Sequence, residues 1–110
     1  ILSNQVIAVL DMGYSLLEDC GFTRAEAVRA TGQLVMRNIE NVLEAGCDGA
    51  LTGPIERNDI ETVKKHIACM QNDDSDDVSL YKMLGTKLVN IAEKKNPDKE
   101  YTQMMELLRG

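Results

Sequence analysis

Apolar positions recur along this chain with helical spacing, and nowhere with the period of two that marks a half-buried strand. At about 100° per residue, Val6, Val9, Leu10, Gly13, Leu16, Leu17 and Cys20 form one stripe, which Ile7, Met12 and Tyr14 widen past half the circumference. The pattern predicts a first helix from about Ser3 to Cys20, buried on more than one side, with a solvent edge only at Asp11, Ser15, Glu18 and Asp19. Such a helix should meet a second chain or another domain as well as its own core. Gly21 ends it. Thr23 and Glu26 make a capping box for a second helix that runs to about Ala45 and is closed by Gly46 as a left-handed cap. Its stripe is Ala25, Val28, Gly32, Val35, Ile39 and Val42, and Gly32 within it predicts the close crossing of a neighbouring helix.

Three shorter patterns follow. Ile60, Val63, Ile67 and Met70 give one clean face for a helix from Asp59 to about Met70. Beyond the acidic linker QNDDSDD, Ser75 can cap a helix from Asp76 to about Lys95 with Tyr81, Leu84, Gly85, Leu88, Ile91 and Ala92 on its stripe. Lys94 and Lys95 suit its negative end. Asn96 with Pro97 at a first helical position then opens a last helix carrying Tyr101, Met104, Met105 and Leu108. The fold class is therefore all-α, a bundle of about five helices in a single domain over residues 1–110, without repeats or low complexity. The opening ILSNQVIAVL enters a helical pattern almost at once and lacks an initiator Met, as expected of a segment cut from a longer protein.

Composition narrows the function classes. With a formal charge of −6 and no large Lys/Arg cluster, neither a surface that tracks phosphates nor a nucleic-acid partner is expected. No apolar run or leader pattern suggests a membrane or export, so a cytoplasmic protein is expected. Cys20, Cys47 and Cys69 lack the spacing of a disulfide framework or zinc site and read as reduced, mostly buried thiols. Asp73, Asp74, Asp76 and Asp77 lack the alternation and central glycine of a calcium loop. They read as a solvated linker, and no metal site is expected. Met12, Met36, Met104 and Met105 read as core or interface packing.

The segment ALTGPIERND, residues 50–59, carries the candidate chemistry. Pro54 fixes its own backbone and keeps Gly53 out of the right-handed helical region, which makes the turn stiff. Asn58 tolerates a positive φ, and either it or Asp59 can cap the next helix. The start of that helix, Arg57 and the Thr52 hydroxyl could together hold a carboxylate or phosphate. The plainer reading is a capped turn in which Arg57 pairs with Glu56 or Glu61. His66, the single histidine, falls at the edge of the Val63/Ile67 face and reads as a partly buried side chain with one hydrogen bond.

The stretches SNQVIAVLDMGYSLLEDCGF, ALTGPIERNDIETVKKHI and LYKMLGTKLVNIA resemble the C-terminal half of a family of predicted Rossmann-like oxidoreductases. That family's signature is ALTGPxxRGD followed by a TVxxH helix, and it is related to pyrroline-5-carboxylate reductase and to the helical C-terminal domains of 6-phosphogluconate dehydrogenases. The resemblance spans about residues 2–95 and departs at Asn58, where the family has Gly. It implies a helical domain that pairs two chains and closes one wall of a substrate cleft, with NADP or NAD held by an N-terminal dinucleotide-binding domain. No G-x-G-x-x-G turn occurs here, so the chain alone should bind no cofactor and catalyse nothing. Carried over by position, the substrate side would be formed by Thr52, Gly53, Pro54, Arg57 and Asp59, with Asn4 near the domain junction. The competing reading is a free-standing helical module for protein interaction.

Overall fold

The computed structural model describes residues 1–71 and 76–110, and all of its regular elements there are α-helices. The all-α class and the five elements follow the pattern of the sequence. The expected cap at Ser75 and the acidic positions Asp73 and Asp74 lie outside the described residues. The chain divides into two compact units, Ile1–Glu40 and Asn41–Gly110.

The first unit is built on helix α1, Asn4–Asp19, and the leading part of helix α2, Arg24–Ala50. α1 stops because Gly21 takes φ 103. Its amide then reaches Glu18 O at 3.0 Å and that of Phe22 reaches Leu17 O at 3.1 Å, the paired bonds of a Schellman cap. The capping box forms as expected, with reciprocal 3.1 Å bonds between Thr23 and Glu26. Arg24 then folds back on α1, pairing with Asp11 at 2.9 Å and Glu18 at 2.8 Å and lying over the Tyr14 ring. These contacts are exposed and fix the angle of the hairpin more than its stability.

Apolar cover is what this unit lacks. No residue of α1 is buried, and Ala27 is the one buried residue among those described in the unit. Ile7, Leu34 and Met36 remain 63%, 70% and 59% exposed. Val9, Leu10, Gly13, Leu17, Leu34 and Val35 line a shallow apolar groove of about 190 Å³. The close crossing expected at Gly32 is absent: a Cβ built there meets no heavy atom within 4 Å. The glycine is spare room on an open helix face.

The second unit holds the core. Its helices are α3, Ile60–Met70, α4, Asp77–Lys95, and α5, Thr102–Arg109. Val63 and Ile67 of α3, Val89 and Ala92 of α4, and Met104 and Leu108 of α5 meet Ile55 and Tyr101 in one buried cluster. Gly85 lets α5 approach α4, since a Cβ there would lie 2.8 Å from Leu108 Cδ2 and 3.4 Å from Ile55 Cδ1. Met104 is fully buried and Met105 packs against the cluster, as expected of core methionines.

Three expectations need correction here. Gly46 takes the positive φ expected of a glycine cap, 77, but its ψ of 174 lies outside the left-handed helical region, and the chain kinks there and adds one more helical turn, through Ala50. The last helix starts at Thr102 and not at Pro97, because residues 97–101 turn to drive Tyr101 inward, where it is 4% exposed. All three cysteines are exposed. Cys20 caps α1, Cys47 follows the kink, and Cys69 lies off the inward Val63/Ile67/Met70 face of α3.

Candidate functional site

Between the end of α2 at Ala50 and the cap of α3 at Asp59, residues 53–58 form a single tight turn with its own cap. Gly53 takes φ 104 and Asn58 φ 59. Arg57 N donates to Gly53 O at 3.1 Å, Asn58 N to Ile55 O at 3.2 Å and Asp59 N to Pro54 O at 2.8 Å. The last two bonds repeat the Schellman pattern that ends α1, with Asn58 in the place of Gly21. Asn is the side chain best suited to that backbone after glycine. The departure from the resembling signature therefore leaves the turn intact.

The turn is fastened from beneath by residues that local pattern did not mark. The Tyr101 hydroxyl donates to Glu56 O at 2.7 Å. Asn96 Nδ2 donates to Glu56 Oε1 at 3.0 Å and to Tyr101 Oη at 3.1 Å. Lys95 Nζ donates to Leu51 O at 2.6 Å and lies 3.7 Å from Glu56 Oε1. On the outer edge Asn58 Nδ2 donates to Glu100 O at 3.0 Å, while Ile55 anchors the turn in the core. The Asn96 bond, helped by Lys95 and Lys99, holds the Glu56 carboxyl below its usual range against the opposing effect of burial. Lys95 had read as a complement to the helix dipole, and Asn96 as the opening of a helix. Their actual partners lie about forty residues upstream, a separation no periodicity reports.

Asp59 caps α3: its carboxylate accepts from Thr62 N at 3.1 Å and Thr62 Oγ1 at 2.8 Å. Those bonds, with Arg57 beside it, hold its pKa down. The carboxylate thus occupies the place where an external anion would meet the helix start. The amides of Ile60 and Val63 are also taken, by Asn58 O and Asp59 O. Of the amides at this helix start, those of Ile60, Thr62 and Val63 thus already have acceptors within the loop and helix. Arg57 lies 3.7 Å from Asp59, its side chain 58% exposed, so the partner is Asp59 and neither Glu56 nor Glu61.

The structure brings Thr52, Gly53, Pro54, Arg57 and Asp59 together on one loop. Thr52 and Arg57 are exposed, and the other three are half-buried. Asn4 belongs to the first unit, exposed in the first turn of α1. His66 makes the expected single hydrogen bond, between Nδ1 and Tyr81 Oη at 3.0 Å, but is exposed rather than partly buried. A concavity of about 650 Å³ opens between Glu93, Lys99, Glu100, Met105 and Arg109, and none of the predicted site residues line it. Among the described residues no cluster of His, Cys, Asp or Glu could hold a metal ion, and no helix is long and apolar enough to cross a membrane.

No curated protein and no solved structure matches the chain. A family profile matches residues 1–88, a span that includes the 50–59 turn and stops before Lys95, Asn96 and Tyr101. On that match, covering most of its length, the chain belongs to the family described as a domain of unknown function, DUF2520.

Proposed function

We propose that this chain is the dimerisation and substrate-side domain of an NAD(P)-dependent oxidoreductase, inactive alone and completed by a dinucleotide-binding domain. The observation that carries the proposal is the uneven burial of its apolar residues. α3, α4 and α5 enclose a core, while α1 and α2 leave Val6, Ile7, Val9 and Val28, and off the α2 stripe Leu34 and Met36, open. Apolar exposure of that extent on an otherwise acidic chain fits an apolar interface with a second copy. The resemblance of the 50–59 turn to the oxidoreductase signature adds the second part. A stiff turn, held from below by Tyr101, Asn96 and Lys95, presents the Thr52 hydroxyl and Arg57 guanidinium on its outer side. Asp59 steers Arg57, and the guanidinium meets an anionic group of a small-molecule substrate. The hydride comes from NADPH or NADH held elsewhere in the protein.

Titrating NADPH into the protein with its dinucleotide-binding domain, and into residues 1–110 alone, tests this by the change in nicotinamide fluorescence. Binding by the first and none by the second is expected. If neither binds while the chain still pairs, the domain is an interaction module and the turn is only a capped connection.

A further inference from the structure

We propose that residues 53–58 are a latched lid, a device of the second unit that goes beyond the functional reading above and needs no second domain. The segment opens and closes on its own while α3, α4 and α5 stay packed, and its latch is the grip of Asn96 and Tyr101 on Glu56. Ile55 is the one buried residue of the segment. A single apolar side chain and a set of polar bonds therefore fasten it to the fold. The amides of Arg57, Asn58 and Asp59 bond back to Gly53, Ile55 and Pro54, so these bonds hold the turn's shape and not its place. Its place is held by three bonds to the α4–α5 joint: Tyr101 Oη to Glu56 O at 2.7 Å, Asn96 Nδ2 to Glu56 Oε1 at 3.0 Å, and Asn58 Nδ2 to Glu100 O at 3.0 Å. Two of the three meet at Glu56.

Both ends of the segment stay anchored when it lifts. Before it, Lys95 Nζ holds Leu51 O at 2.6 Å. After it, the Asp59 carboxylate keeps its bonds to Thr62 N and Oγ1, so the cap of α3 survives. Gly53 supplies the pivot: its φ is 104, and open space lies where a Cβ would sit, so the backbone can turn there without a clash. The catch also keeps its form, because Asn96 Nδ2 donates to Tyr101 Oη at 3.1 Å and the Tyr101 ring belongs to the core cluster. Arg57 rides on the lid. Closed, its guanidinium lies 3.7 Å from Asp59; open, it loses that placement. The latch thus sets where the one arginine of the turn is presented, and weak local stability of this kind is common in segments that bind.

Native-state hydrogen exchange of the 1–110 chain, followed by NMR at rising guanidinium chloride below the unfolding transition, tests the lid. The amides of Arg57, Asn58 and Asp59 should exchange through an opening that hardly responds to denaturant, because it exposes little surface. Those of Val89 and Ala92 in α4 should exchange through one that steepens with denaturant as global unfolding does. Tyr101→Phe and Asn96→Ala each remove a bond to Glu56 and should speed the first group about tenfold, the equivalent of one lost hydrogen bond, with the flat denaturant response kept. Exchange of all five amides at one rate and one slope in the wild-type chain would overturn the lid, as would a wild-type turn with no protection. A flat response whose rate neither substitution moves would overturn the latch.

Discussion

The two units of this chain have similar helical stripes and opposite burial. In the second unit, Val63, Val89, Ala92 and Met104 are fully buried, and a missing side chain at Gly85 is used by Leu108 and Ile55. In the first, a wider stripe on α1 buries nothing, and Gly32 has open space beside it. Periodicity reports which face of a helix is apolar. It does not report what covers that face. A helix whose apolar residues remain exposed draws little stability from its own chain, because tertiary packing supplies most of a helix's stability.

The contrast can be broken most sharply in the core. Met104→Ala should cost about 2–5 kcal/mol in chemical denaturation, the usual range for a fully buried methionine, and lower the protection of α3, α4 and α5 together. Gly85→Ala should cost about 1–3 kcal/mol by overpacking against Leu108; a neutral result would mean that α5 can shift aside. Tyr101→Phe removes the donor to Glu56 O and should cost about 1–3 kcal/mol for leaving that carbonyl without its bond. Circular dichroism melts would measure both.

Acid should loosen the turn before the core. The pKa values of Glu56 and Asp59 are held below the usual 4.5 and 3.8, so their contribution to stability is present above those ordinary values. It is lost as pH falls through the lower, folded-state values. Glu56→Gln should flatten the acid limb of stability against pH, and an unchanged limb would count against the clamp. At the small end, Arg57→Ala and Leu34→Asp should each move the stability of the second unit by less than about 0.5 kcal/mol, since both side chains are exposed. Leu34→Asp should nonetheless weaken pairing of the chains.

Much of this was legible from residue spacing. The capping box at Thr23 and Glu26, the stop at Gly21, the inward face of α3, the cap at Asp59 and the positive φ of Asn58 are local events, set by residues within a few positions of each other. The kink at Gly46 was half legible: glycine announced a positive φ, but not that ψ would be extended and another turn would follow. The clamp was not legible. Lys95, Asn96 and Tyr101 suit ordinary local roles as a dipole complement, a helix opening and a stripe residue. Only the folded chain brings them to Glu56 and Leu51. The acidic side chain at Asp59 was visible, but its consequence was missed: a carboxylate that caps a helix also fills the anion site at its end.

The account depends most on the open face of α1 and α2 being an interface between two copies. Static light scattering of the purified 1–110 chain at micromolar concentration measures this directly. A mass of twice 12.2 kDa is predicted, falling toward a single chain in Leu34→Asp. A wild-type mass of one chain, with the amides of α1 still protected from hydrogen exchange, would contradict it.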